Sequence, residues 1–454
     1  MNFIKLLSVL ALMSSNAHAT VIAVIDSGTD LSHNDLKNKM WTNPIDIDDG
    51  VDNDDNGYID DIHGWNFAEN NNKLYDKSFL GTFSPDVYKF FEVQTRLLKG
   101  LGTDDDRAWM NAARGNSALI AELGTFGNFV HGTHVAGITA KNADKAQVMV
   151  LKIIPTKSPL PGHKKEFVDF YNGFAKKSLT STSDSLIKMA LKALASQQSK
   201  SLAPIGAYVG NEKARIANCS FGTSTAAVKS MIMPQLLKLV LRRDPTPEEL
   251  DTYSIFFVTQ VIEASKALVT PAPNTLFVIA AGNDGSNNDQ LPTSPANIKL
   301  QNTISVAATL DYLKIASFSN YGTQMVDVAA PGVGIRSSIP GNQYLTVSGT
   351  SQASPYVANV AGLLVDTNPN LSNSDLKKIL IETSDLKDFM KGKVAANGIV
   401  NTDRAITAAK LALTMQINDA LQAARVQIND VPAGFGLSEN NKEEGFVLPL
   451  PSLF

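Results

Sequence analysis

Apolar positions along the chain fall into two alternating patterns. Short runs rich in β-branched residues occur at Thr20–Ile25, Val148–Ile154, Arg215–Ser220, Thr275–Ala280, Ile304–Ala307 and Met325–Ala329. Runs of this length and composition read as buried strands. Between several of them the spacing turns helical, as in Ser185–Ala195 and Ile255–Leu268. Strands alternating with helices predict an α/β fold, a mostly parallel sheet covered by helices on both faces. In such sheets chemistry gathers beyond the carboxyl ends of the strands. Asp26 and Asn283 each follow an apolar run closely and so stand where function is expected.

Two stretches interrupt the alternation. Residues 66–129 look partly helical around 86–99 and 105–122, and residues 223–270 contain Thr246-Pro247-Glu248-Glu249. A capping residue, proline at the first helical position and an acid at the third mark a helix start. Both stretches read as insertions into one domain spanning 20–414, followed by a helix and tail over 415–454. The first 19 residues carry Lys5, an apolar stretch from Leu6 to Met13 and Ala17-His18-Ala19. That is the pattern of a signal peptide cleaved before Thr20, so the mature chain is expected to be secreted or periplasmic.

Composition narrows the field. The 454 residues carry 40 Lys+Arg against 44 Asp+Glu, a formal charge of −4 with no basic block, which argues against nucleic acid as a partner. Hydrophobic residues make up 44 %, enough for a sizeable core. The single cysteine, Cys219, excludes an intrachain disulfide framework and a thiolate metal cluster, and reads as a buried small hydrophobe. No apolar run reaches membrane-spanning length, so no membrane attachment is expected once the leader is removed.

Three short blocks carry candidate chemistry. They are Val24-Ile25-Asp26-Ser27-Gly28, His131-Gly132-Thr133-His134-Val135-Ala136-Gly137 and Gly349-Thr350-Ser351-Gln352-Ala353-Ser354-Pro355. Alone, the first is an acid in a turn and the second a helix start or a histidine pair. A fourth signal is Ala280-Ala281-Gly282-Asn283-Asp284-Gly285. Together, in the order Asp…His…Ser, the blocks resemble the active-site motifs of the subtilisin-like serine proteases, the subtilases, an order that is a stock example for that family. The flanking Ala316–Gly322 and Val328–Gly332 segments extend the resemblance over most of 20–413 outside the insertions.

The resemblance implies a serine endopeptidase acting on protein or peptide substrates, with Ser351 as nucleophile, His131 as general base, Asp26 as its orienting acid and Asn283 as a side-chain oxyanion donor. A serine hydroxyl is a poor nucleophile near neutral pH, so a base must take its proton as it attacks. Histidine titrates near that pH, and a buried carboxylate fixes its tautomer. The resemblance also implies that Ser220-Phe221-Gly222 and Ala280-Ala281-Gly282 wall the first specificity pocket, with the Asp284–Asn297 loop at its floor. His134 is expected to be structural, inside the helix start. Other readings of the same residues are a peptide-binding protein that keeps the fold without catalysis, a calcium-dependent adhesion protein, and acyl transfer to an amine.

Three features depart from the family pattern. Asp26 follows Thr20 so closely that no prosegment fits between them; Gln352 stands where methionine is common, and Tyr356 where histidine is common. Asp26 and His131 are 105 residues apart, so the 66–129 insertion must loop out near the site; it and 223–270 read either as a helical rim restricting access or as peripheral decoration. Finally, Asp46–Asp61 holds eight aspartates and no basic residue. The core Asp52, Asp54, Asn56, Tyr58 (through its carbonyl) and Asp60 follows a calcium loop for nine positions. His63 occupies the twelfth position, which leaves Asp61, Asp48 or Asp49 to complete a structural calcium site; the alternative is a solvated acidic loop. Similar loops occur in some bacterial subtilases. The chemistry itself requires no cofactor.

Overall fold

The computed structural model describes residues 19–157, 184–432 and 447. The leader expected at 1–19 therefore lies outside the described residues save its last, as does nearly all of the tail beyond 432. Among the described residues, strands join in the order Asp385–Leu386, Gly398–Ile399, Val328–Pro331, Thr303–Leu310, Leu276–Ala280, Ile216–Cys219, Val21–Asp26, Gln147–Lys152 and Gly64–Asn66, with Lys314–Ile315 beside Thr303–Leu310. All pairings are parallel except at Asp385–Leu386 and Lys314–Ile315. This is the mostly parallel α/β sheet read from the strand–helix alternation.

Residue parity decides which side chain meets which layer, because successive residues of a strand point to opposite faces. Ala23, Ile25, Met149, Leu151, Cys219 and Ile279 pack with the helices Asp184–Asn211 and Pro247–Val269. Ile22, Ile216, Val278 and Val306 face the Thr350–Thr367 helix and its neighbours. Val24, Val148 and Val150 meet Val135 and Ala136 of the Ser117–Thr139 helix. Asp26 has the parity of Ile22 and Val24, so its carboxylate is delivered to the face where that last helix packs.

The chain enters the sheet centrally at Val21–Asp26. It then adds Gln147–Lys152 on one side and Ile216–Cys219 on the other. Asp26 thus ends the strand at the topological switch point, where parallel sheets open a crevice. Thr246 caps the Pro247–Val269 helix in a reciprocal capping box with Glu249, as the sequence predicts. Residues 105–122, expected to be partly helical, fall in two helices. Asn116 ends Asp104–Gly115 and its side chain caps Ser117–Thr139 by accepting from Ala118 and Leu119.

The Pro85–Leu98 and Asp104–Gly115 helices close over the first half of Ser117–Thr139. Phe90, Phe91, Leu123, Phe126 and Phe129 form a small core there, completed by Ile339 and Leu345 of the hairpin Ile335–Ile339/Gln343–Val347. No helix among the described residues is long and apolar enough to cross a membrane.

Candidate active site

His131 lies inside the 23-residue Ser117–Thr139 helix, fourteen residues from its first residue, and not at a helix start. The helix begins within the 66–129 stretch, so that stretch and the turn bearing His131 form one rod. The loop after Asp26 docks on this helix. Thr29 Oγ1 donates to the Gly132 carbonyl at 3.3 Å, Asp30 N to Thr133 Oγ1 at 3.0 Å, and Gly132 N to Ser27 Oγ at 3.1 Å. The approach needs glycine, since a Cβ on Gly132 would sit 2.1 Å from the Gly28 carbonyl oxygen.

This docking brings Asp26 to His131. Asp26 Oδ1 accepts from His131 Nδ1 at 2.7 Å and from Ser27 N at 2.7 Å. The carboxylate is fully buried and its Oδ2 has no hydrogen-bond partner; the imidazole is 13 % exposed. A carboxylate on Nδ1 fixes the tautomer that leaves Nε2 as the basic nitrogen.

Ser351 sits in the first turn of Thr350–Thr367, behind Gly349, where backbone N–H groups lack helical partners. Its hydroxyl donates to the Ser220 carbonyl at 3.3 Å instead of to His131. Ser220 Oγ returns a bond to the Ser351 carbonyl at 3.1 Å and accepts from Asn218 Nδ2 at 2.9 Å. Asn218 in turn accepts from Ser354 Oγ at 2.7 Å. Buried polar groups satisfied in this way hold the Ser351 turn to the strand ends.

Asn283 follows the Leu276–Ala280 strand. Its Oδ1 accepts from Thr350 N at 2.9 Å and Thr350 Oγ1 at 2.8 Å, which fixes the amide's orientation. A Cβ built on Gly349 would lie 3.4 Å from Asn283 Nδ2 and 3.6 Å from Ser351 N. Two donors therefore flank one small space beside the serine. Thr350, which aims Asn283, was not singled out in the sequence although it lies in the same block as Ser351. Asn320 is a second such residue. It lies in the quoted Ala316–Gly322 segment, and its Oδ1 accepts from Asp284 N at 2.9 Å and Ser286 N at 3.1 Å.

A model of the Subtilase family matches residues 17–410. The chain belongs to the subtilase family. It is 43 % identical over 133 residues to a thermophilic serine proteinase of Bacillus sp. (strain AK1), covering 29 % of this chain and 31 % of that protein. It is 37 % identical over 134 residues to alkaline elastase YaB of Bacillus sp. (strain YaB), covering 30 % and 33 %. The chain thus spans about a third of the length of the curated relatives it matches. A solved cold-adapted subtilisin-like serine proteinase gives a TM-score of 0.41 at 19 % identity, covering 85 % of this chain and 88 % of that one.

In this subtilase Ser220, Phe221 and Gly222 prolong the Ile216–Cys219 strand, and Phe221 turns its ring into the core. Ala281 and Gly282 prolong Leu276–Ala280 with their backbone engaged. Ala281 N donates to Val306 O, its carbonyl accepts from Asn288 Nδ2, and Gly282 N donates to Thr350 Oγ1. Gly282 has φ +117°, and a Cβ there would meet Asn320 Nδ2 at 2.3 Å. Of the loop expected at the pocket floor, Asp284 is exposed, and its backbone N is held by Asn320 Oδ1 at 2.9 Å.

His134 is fully buried. Burial drives its pKa down to about 3, so it is neutral at working pH. Burial also raises the Cys219 thiol, with Asp26 as a further cause, which makes it an unreactive core group.

The acidic loop is rearranged relative to the sequence expectation. Oxygens of Asp46, Asp52 and Asp54 come within 4.8 Å of one another, and Asp46 was not among the predicted ligands. Asp60 Oδ1 accepts from the Asp49 and Gly50 amides. Asn56 donates through Nδ2 to Asp54 and Asp61, and the Tyr58 ring packs on Trp65, Phe67 and Tyr208. Asp61 is buried and accepts from Tyr208 Oη at 2.6 Å and Asn43 Nδ2 at 2.6 Å, with its pKa raised by burial. Glu212, beside the cluster, is pushed up to about 7 by burial and then by the charges of Asp61 and Asp54.

Proposed function

We propose that this subtilase is an exported serine endopeptidase that hydrolyses peptide bonds through an acyl-enzyme, with Asp26, His131 and Ser351 as its triad. The observation that carries the reading is the buried Asp26 carboxylate bonded to His131 Nδ1 at 2.7 Å at the sheet's switch point. In the first step Ser351 leaves the Ser220 carbonyl and its Oγ attacks the scissile carbonyl carbon as His131 Nε2 takes its proton. Asp26 stabilises the imidazolium that forms. The carbonyl oxygen, now negative, enters the space flanked by Asn283 Nδ2 and Ser351 N. The imidazolium protonates the amine, the C–N bond breaks, and water repeats the sequence to release the acid.

The peptide would add as a strand along Ser220–Gly222, with Ala280–Gly282 as the opposite wall. Among the described residues the Phe221 and Gly222 backbone makes no hydrogen bond. Export rests on the leader pattern of residues 1–19. A calcium ion fits the acidic loop, because three converging carboxylates, Asp46 buried and Asp52 and Asp54 half-exposed, suit a hard cation. Asp46, Asp52 and Asp54 would hold it, and its contribution would be structural.

The test compares the wild type with Ser351→Ala, following fluorophosphonate labelling and casein cleavage together. Labelling and cleavage confined to the wild type are expected. Cleavage retained by the alanine variant would refute the reading.

A further inference from the structure

Gln352 follows the nucleophile and is 1 % exposed. Its backbone N donates to the Gly349 carbonyl at 3.1 Å, closing the turn that carries Ser351. Its side chain spans two places. Nε2 lies 3.5 Å from His134 Nδ1, and Oε1 lies 2.8 Å from the point where a Gly349 Cβ would be. That point is the space flanked by Asn283 Nδ2 and Ser351 N.

The orientation of this amide follows from His134. The Leu345 carbonyl lies 3.1 Å from His134 Nε2 and can only accept, so Nε2 carries the proton. The neutral ring then has no proton on Nδ1, which faces the Gln352 N–H₂ at 3.5 Å, and the Ile335 carbonyl is a second backbone partner of the ring. The oxygen end is left facing Gly349. His134 is itself anchored to the hairpin, since its carbonyl accepts from Ser337 Oγ at 2.8 Å. The Leu345 side chain belongs to the core built by the inserted helices.

We infer that Gln352 is a positioning residue of the oxyanion pocket, braced by His134 so that a neutral oxygen, not a charge or a loose chain, borders the space beside Gly349. The inference rests on the triad and oxyanion assignment made above. It explains why a polar residue can occupy a buried position next to the nucleophile. One end of its amide is satisfied by a ring that does not titrate at working pH, and the other sets the edge of the pocket. The titratable groups around it are His134 on the facing helix and His131, with Asp26 behind.

The test uses Gln352→Glu and Gln352→Met in the full chain, with kcat and KM on a peptide amide measured from pH 5 to 9. A carboxylate at this edge opposes charge that develops only in the transition state, so it acts on kcat and spares KM. Gln352→Glu is expected to lose at least about tenfold in kcat at pH 8 with KM within about twofold, the deficit shrinking towards pH 5 as the carboxyl protonates. Gln352→Met is expected to lose about three- to tenfold in kcat at every pH, with no new inflection. A Glu variant within twofold of wild type in kcat across the range, or a loss confined to KM, overturns the inference. Should the Glu variant fail to fold by circular dichroism, the Met variant decides, and wild-type kcat there overturns it equally. Ser351→Ala run in parallel separates the two levels. Residual cleavage there sinks the triad assignment, whereas a dead Ser351→Ala beside an unaffected Gln352→Glu sinks only the role of Gln352.

Discussion

Gly349→Ala puts the oxyanion geometry under direct strain without disturbing the fold. Gly349 has φ 165°, extended backbone that alanine adopts freely. The added methyl would lie 2.8 Å from Gln352 Oε1, so the buried Gln352 amide must move to admit it. It would also lie 3.4 Å from Asn283 Nδ2 and 3.6 Å from Ser351 N. An oxyanion must sit about 2.7–3.1 Å from each donor, so methyl and oxyanion compete for one place. The loss should match removal of one donor, about 10²–10³ in kcat or ~2.7–4 kcal/mol; that scale was measured on the side-chain donor of subtilisin, a relative, and is carried over here. Stability should fall by about 1–3 kcal/mol, because a buried amide must move while the backbone need not. The assay pairs kcat on a peptide amide and the fluorophosphonate labelling rate with a thermal melt. A well-folded variant with kcat within threefold of wild type would show that the space beside Gly349 is not where the oxyanion forms.

Three further outcomes are expected. Asp26→Asn keeps an acceptor at Oδ1 but removes the charge that supports the imidazolium, so kcat should fall by up to about 10⁴; a loss under tenfold would remove Asp26 from the mechanism. Phe126→Ala empties a fully buried ring site in the inserted core, packed on Phe83, Tyr88 and Phe91, and should cost about 3–5 kcal/mol by denaturant unfolding; a change below 1 kcal/mol would mean the insertion's core is not coupled to global stability. In calcium-free protein, Glu212 binds its proton more tightly folded than unfolded, so its contribution is present below about pH 4.5 and is lost as pH rises to about 7. At this half-buried site solvent screening leaves about 1–2 kcal/mol, seen as a falling Tm over that window which Glu212→Gln should flatten and calcium should restore; an unchanged slope in the variant would acquit Glu212.

Much of this was legible because buried parallel strands need long apolar runs, and six of the sheet's strands announce themselves that way. The short pairs did not. Gly64–Asn66, Asp385–Leu386 and Gly398–Ile399 hold two or three residues each, too few for any periodicity. The Thr246 capping box was readable because its chemistry is local, whereas the break at Asn116 escaped notice inside a continuous helical pattern. The site blocks were readable as motifs, but the bonds that aim them were not. That Thr350 holds Asn283, or that Asn218 links Ser220 to Ser354, depends on contacts across 67 or 136 residues. In the acidic loop a linear template pointed to Asp52, Asp54 and Asp60, while the turn also brings Asp46, outside that template, beside Asp52 and Asp54.

The unbroken Ser117–Thr139 helix turns the insertion into a lever. At about 1.5 Å per residue, His131 stands about 12 Å from the helix's far end at Thr139 and about 21 Å from Ser117. A tilt of about 5° about the Thr139 end would carry the imidazole about 1 Å, and a misplacement of that size can cost about a hundredfold in rate. The same tilt would move Ser117 by nearly 3 Å, a displacement that any body pressing on the inserted helices could impose. The aromatic cluster around Phe126 and Phe129 therefore sets an angle as well as a stability. Through one rigid rod, residues far from Ser351 would adjust the distance between its hydroxyl and the His131 ring.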